Sequence, residues 1–173
     1  MKRRIVRLLA ALSLIAATAV GIGVSATASH AGTGWSPTTL SVSGYCLDAD
    51  RNTWYGNGSK VQMWGCNGWS NQQWWANWPT GNGETTYTTI RTPGGSAGPS
   101  KCLDGDLNAR WRVQTWDCNG WDNQLWAIHK WCGPEYCVFE IRNVAFGSFL
   151  RPPDRLCNGC LPYLGSQYTW YRG

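Results

Sequence analysis

Residues 62 to 75 read QMWGCNGWSNQQWW, and from 114 to 126 the chain reads QTWDCNGWDNQLW. Each copy gathers three or more indoles, several side-chain amides and a cysteine into a short span. Neither copy holds the Ser, His and Asp arrangement of an activated nucleophile. The stretch is furnished to grip a ligand rather than to break a bond.

Upstream of each copy stands a matching tag, YCLDAD at 45–50 and KCLDGD at 101–106. A third, degraded unit runs from FEIRNVAFGSFLR at 139–151 to SQYTWY at 166–171, with Phe149 in the place of the cysteine and Arg151 in that of the aspartate. The repeats fall roughly at 38–84, 85–135 and 136–173, and such a period outranks local propensity in deciding a fold. Within the units, TTLSVSG, KVQMW, TYTTIR, RVQTW and VFEIRNV alternate β-branched or aromatic residues and are separated by Gly, Asn, Pro and Ser clusters, which predicts strands. Apolar residues at helical spacing never persist after the N-terminal segment, so the expectation is an all-β protein of some ten to twelve short strands. Units of this length cannot each bury a face alone, but three hairpin-bearing units around one axis can.

The N-terminal segment, residues 1–31, has a basic start, an apolar run from Leu8 to Val24 and small residues at Ala28 and Ala31. It reads as a secretory signal peptide, with 32–173 as a single domain. Four of the fifteen basic residues lie in that segment and all ten acids lie beyond it, which leaves the remainder at +1. A basic face for nucleic acid is therefore not implied, and neither is membrane insertion.

All eight cysteines lie beyond the leader, and in an exported chain that number points to four disulfides, among 105 possible pairings. The repeat narrows them: Cys46 with Cys66 and Cys102 with Cys118, each inside its own unit. Cys132 with Cys137 and Cys157 with Cys160 remain. The last four also have the outline of a zinc site, but export and the tight spacing favour disulfides.

CLD at 46–48, QMWGC at 62–66 and NQQW at 71–74, then CLD at 102–104, QTWDC at 114–118 and NQLW at 123–126, resemble the ricin B-chain lectin family, also found as a carbohydrate-binding module of secreted bacterial glycosidases. The resemblance covers roughly residues 38–173 and implies a β-trefoil: a closed six-stranded barrel capped by three hairpins about a pseudo-threefold axis. It further implies that Asp48 accepts from two vicinal sugar hydroxyls, Trp64 stacks on the ring, Asn71 contacts a hydroxyl and Gln72 steadies Asp48. Gln62 shares a strand face with Trp64 through the period-two alternation and lies at the site's edge. The second unit repeats the set as Asp104, Gln114, Trp116, Asn123 and Gln124. The third unit lacks it, and its RPPDRLCNGCLPY stretch is read as a cap on the barrel.

Blander roles compete for several of these residues. Trp74 and Trp126 suit the core better than a ligand platform. Gln72 and Gln124 are either buried clamps or direct contacts, and on composition alone Asp48 and Asp104 also suit caps of local turns. Trp54, Trp69, Trp111 and Trp121 fall in loops beside the sets, and Trp69 and Trp121, each after a CNG, are read as walls of a pocket. The first loop, RNTWYGNGSK, is longer than its counterpart LNARWR, so the two sites are expected to differ in depth.

The expected function is a secreted, non-catalytic, monomeric lectin, without cofactor or metal, whose two sites hold galactose-, arabinose- or xylose-type glycans or polysaccharides. One alternative is a trefoil that binds a protein, as an inhibitor or toxin subunit does. Another is a glycosidase using Asp48 with Asp50 and Asp104 with Asp106.

Overall fold

A computed structural model describes residues 35–53, 56–93 and 100–172. The signal peptide expected over residues 1–31, and Trp54, lie outside the described residues. The first unit supplies β1 (Ser36–Thr38), β2 (Leu40–Val42), β3 (Tyr45–Ala49), β4 (Ser59–Gly65), β5 (Trp74–Ala76) and β6 (Thr85–Thr88). The second supplies β7 (Cys102–Gly105), β8 (Val113–Trp116) and β9 (Trp126–Cys132), and the third β10 (Cys137–Asn143), β11 (Phe149–Arg151), β12 (Tyr163–Gly165) and β13 (Thr169–Arg172). Two single turns of 3-10 helix, Ser70–Gln72 and Asp122–Gln124, carry the NQ pairs of the repeated stretch. The strand number exceeds the expected ten to twelve partly because one N-terminal strand is split: β1 pairs with β5 while β2 pairs with β13 and β3.

Three matched hairpins define the repeat. Register places Asp48 opposite Gln62, Asp104 opposite Gln114 and Arg151 opposite Tyr163. The hairpins meet one another through Ser59 opposite Thr115, Arg112 opposite Tyr163 and Met63 opposite Cys160. Beneath them the remaining strands form a circuit in which β2 pairs with β13, β13 with β10, β10 with β9 and β9 with β6. Between β5 and the segment after β6 the circuit is carried by the single bridge of Trp75 to Arg91 rather than by a ladder. The fold is a β-trefoil.

The core repeats with the same symmetry. Leu47, Leu103 and Leu150, the central residues of CLD, CLD and FLR, are fully buried. Trp74, Trp126 and Trp170 are buried beside them, and each indole N–H donates to the carbonyl of its own leucine, at 2.9, 2.9 and 2.8 Å. Large apolar area is removed from water without leaving the ring nitrogen unpaired. Trp170 takes this place although QYTW sets its glutamine one residue too far away, and Tyr168 stands at the position of Gln72. The four disulfides pair as the repeat implies: Cys46–Cys66, Cys102–Cys118, Cys132–Cys137 and Cys157–Cys160. Among the described residues no helix is long and apolar enough to cross a membrane.

Candidate functional site

In the first unit, Asp48, the penultimate residue of β3, pairs with β4 and is only 3% exposed. Asp48 Oδ1 accepts from Gln62 Nε2 at 3.1 Å, and Oδ2 accepts from Asn71 Nδ2 at 2.8 Å and Gln72 Nε2 at 3.1 Å. The same amide of Asn71 donates to Ala49 O at 3.1 Å, so its NH2 faces two acceptors and its Oδ1, buried and without a partner, is left over. Gln72, fully buried, also donates to Gly65 O and accepts the Asn67 N–H. It is a clamp, and not a surface that a ligand reaches.

The second unit builds this arrangement again. Asp104 accepts from Gln114, Asn123 and Gln124 at 3.0, 2.8 and 2.9 Å. Asn123 donates also to Gly105 O and leaves its buried Oδ1 unpartnered, while Gln124 bonds Asp117 O and Asn119 N–H. Burial of Asp48 and of Asp104 raises each carboxyl pKa above its ordinary value; the three amide hydrogen bonds oppose that rise and the nearby Asp50 or Asp106 adds to it.

Beside each buried carboxylate stand two exposed indoles. Trp64 is opposite Cys46 on β4 and Trp116 opposite Cys102 on β8, each well exposed on the hairpin edge. Trp69 and Trp121 are presented by the CNG turn. Asn67 Oδ1 accepts the Trp69 N–H and Asn119 Oδ1 the Trp121 N–H, while Gly68 and Gly120 hold the left-handed φ of 75° and 80° that the turn demands. The repeated CNG is the sequence signal for this turn.

Each set lines a cavity. The first, about 670 Å³, is bordered by Asp48, Gln62, Trp64, Trp69 and Asn71 together with Asp50, Arg51, Asn52, Lys60, Asn67 and Gly159. The second, about 230 Å³, is bordered by Asp104, Gln114, Trp116, Trp121 and Asn123 together with Asp106, Leu107, Asn108 and Asn119. The difference in size goes with the longer first loop. Trp111 is exposed and lines neither cavity, although its carbonyl receives the Leu164 N–H. Trp74 and Trp126 are core residues, as the barrel's need for apolar filling suggests.

Sequence reasoning missed a wall of the first cavity that comes from the third unit. The CNGC turn lies against β4: Gly159 N–H donates to Met63 O, Met63 N–H to Cys160 O, and Gly65 N–H to Asn158 Oδ1. RPPDRLCNGCLPY is therefore more than a cap, since its Gly159 borders the first cavity. No local signal in the sequence ties residue 159 to residue 63.

The third hairpin is furnished differently. Arg151 stands where the aspartates are, its guanidinium 5.0 Å from the Tyr163 ring centre and bonded to Ser166 and Asp154. Gly165 stands where Trp64 and Trp116 are, and a Cβ there would meet Arg151 Cδ and Tyr163 Cε2 at 2.9 Å. A side chain at 165 would have to displace that arginine and the tyrosine beside it.

A threefold trefoil with a buried carboxylate and exposed indoles in two of its three units is the architecture of a lectin-like domain. The profile of the ricin-type beta-trefoil lectin domain matches residues 36–131, and the chain belongs to that family. Among curated proteins no sequence matches it. Among solved structures it is similar to the designed threefold-symmetric protein ThreeFoil, at 20% identity and a TM-score of 0.62 over 79% of this chain and 96% of that one. It is similar also to a mosquitocidal holotoxin, at 18% identity and a TM-score of 0.62, covering 79% of this chain but 17% of the toxin. A Polyporus squamosus lectin bound to a Neu5Acα2-6Galβ1-4GlcNAc epitope matches at 19% identity and a TM-score of 0.55, over 80% of this chain and 49% of the lectin. These likenesses concern the fold.

Proposed function

We propose that the protein is a secreted lectin that holds sugar residues at two sites, one centred on Asp48 and Trp64 and the other on Asp104 and Trp116. The observation that carries this reading is the duplicated constellation of a buried carboxylate clamped by three amides beside an exposed indole face. A sugar ring offers a patch of C–H groups and a fan of hydroxyls; the indole covers the first and the carboxylate accepts from the second.

Three of roughly four acceptor positions on each carboxylate are already filled. Two adjacent sugar hydroxyls are thus shared, one donating to the aspartate and its neighbour to the free Oδ1 of Asn71 or Asn123. This refines the expectation that the aspartate takes both. Gln62, Gln72, Gln114 and Gln124 act by fixing the carboxylates. Four disulfides and the leader-like N-terminus support export.

The second carboxylates are engaged locally: Asp106 pairs with Arg112 and Asp50 accepts from Asn52. That supports binding over a carboxylate pair for hydrolysis. Glycan-array binding by the oxidised chain tests the reading, with retention on galactose-, arabinose- or xylose-type glycans expected. An oxidised, folded chain that retains none, or one whose binding survives Asp48→Ala with Asp104→Ala, overturns it.

A further inference from the structure

The two cavities share one pattern, so each serves as a control for the other. After the common Asp-x-Asp, the second cavity continues with Leu107 and the first with Arg51. Two residues before the common glutamine stand Arg112 in the second unit and Lys60 in the first. Arg112 is neutralised: Nη2 lies 2.6 Å from Asp106 Oδ2 and donates to Gln114 Oε1 at 2.9 Å. Lys60 and Arg51, by contrast, have no carboxylate partner among the described residues.

The reason lies in the loop. Asp50, the counterpart of Asp106, turns its Oδ1 to the backbone and side chain of Asn52, at 3.0 and 3.2 Å, and Lys60 does not close on it. Lys60 instead reaches the CNGC wall, where its Nζ is 3.6 Å from the place a Cβ on Gly159 would take. The Arg51 guanidinium lies 4.9 Å above the Trp69 ring, which holds the cation at the rim. Asp48 and Asp50 are thus balanced by two open cations in the larger cavity. The smaller one is bordered by Asp104 and Asp106 and by no cation, and the neighbouring Arg112 outside its lining is already paired with Asp106.

We infer that the first site takes an anionic sugar residue, one bearing a carboxylate or a sulfate ester that Arg51 and Lys60 meet, while the second takes a neutral one. This rests on the carbohydrate reading above. Hydroxyls of the ring reach Asp48 and Asn71, and the larger cavity leaves room for the charged group toward Lys60 and the rim. The excess negative charge of the second cavity turns the same group away.

The test is calorimetry on the full oxidised chain carrying Trp116→Ala, which isolates the first site, or Trp64→Ala, which isolates the second. Three probes are compared: a galacturonate oligosaccharide, its carboxyl-reduced neutral counterpart, and the sulfate ester of that neutral sugar. With Trp116→Ala, one or both anionic probes are expected to bind about three- to tenfold tighter than the neutral one at low salt, as two exposed charge contacts permit. That gap narrows at high salt and closes when Arg51→Gln and Lys60→Gln are added. With Trp64→Ala the neutral probe is expected to bind at least as well as either anion. The carboxylate and sulfate arms show which anion is read. Neutral binding with no gap at the first site, or a gap that survives Arg51→Gln with Lys60→Gln, overturns the inference and leaves the carbohydrate reading standing. No binding of any probe or array glycan by the unsubstituted chain overturns both.

Discussion

Asp48 and Asp104 are carboxylates for a geometric reason that no amide satisfies. Each is surrounded by NH2 groups, so an asparagine would turn a donor toward donors. Relief differs between the sites. Gln62 is free to turn its amide over and accept, whereas Gln114 Oε1 already accepts from Arg112 and loses that bond if it turns. Asp104→Asn is therefore expected to lower stability by about 1–3 kcal/mol, the cost of an unsatisfied buried polar group, and Asp48→Asn by less. Urea denaturation of the two variants checks the order. Protonation acts on the same residues. Burial raises both pKa values, so sugar affinity is expected to fall as acid titrates these groups from above the ordinary carboxylate range. A carboxyl whose folded pKa is raised above its unfolded value contributes stability that is full below the unfolded pKa and lost as pH rises through the folded one. These two groups are thus expected to release a sugar on acidification without weakening the fold, and affinity and melting temperature measured on the same pH series should part company.

Hairpins and turns set the next scale. The Cys46–Cys66 and Cys102–Cys118 bridges close loops of 20 and 16 residues of separation inside single units, and opening either by paired Cys→Ser substitution is expected to cost about 3 kcal/mol. Cys157–Cys160 spans a separation of three, and its opening should cost less in global stability but loosen the turn against β4. The expected signature is weaker binding in the Trp116→Ala background and unchanged binding in the Trp64→Ala background, read by calorimetry. Much at this scale was legible in the chain. The paired tags and the QxW and NQxW runs announced two hairpins, their disulfides and the residues now found around Asp48 and Asp104, because a repeat turns one ambiguous pattern into two mutually supporting ones. WAIHKWC of β9 carries a weaker strand signal. Its inward Trp126 and Ile128 alternate with Ala127 and His129, which breaks the clean polar alternation that marks a half-exposed strand. The Met63 to Cys160 contact was invisible for a different reason, since nothing local to either residue encodes a meeting of turns from separate units.

Across the whole molecule, threefold symmetry is kept in the core and relaxed on the surface. Trp170 repeats Trp74 and Trp126 down to its hydrogen bond, while Arg151, Tyr163 and Gly165 replace the groups that define the two cavities. The two proposed sites, carried on one rigid body, predict avidity on a polymer. Trp64→Ala or Trp116→Ala should cost one of two binding equivalents on a monovalent sugar, yet lower retention on a repeated polysaccharide by up to about a hundredfold where spacing lets both sites engage. Paired monovalent titration and polysaccharide pull-down measure the difference. The two cavities also differ in how the chain assembles them. Every residue bordering the second lies in the single run from 104 to 123, while the first borrows Gly159 from the far end of the domain. A hairpin graft onto another trefoil would therefore carry every residue that borders the second, and would need Gln124 and a counterpart of Asn143 to hold Asp104 and Asn123 in place. The first is a joint product of two units: it acquires its last wall only once the CNGC turn of the third unit has docked on β4.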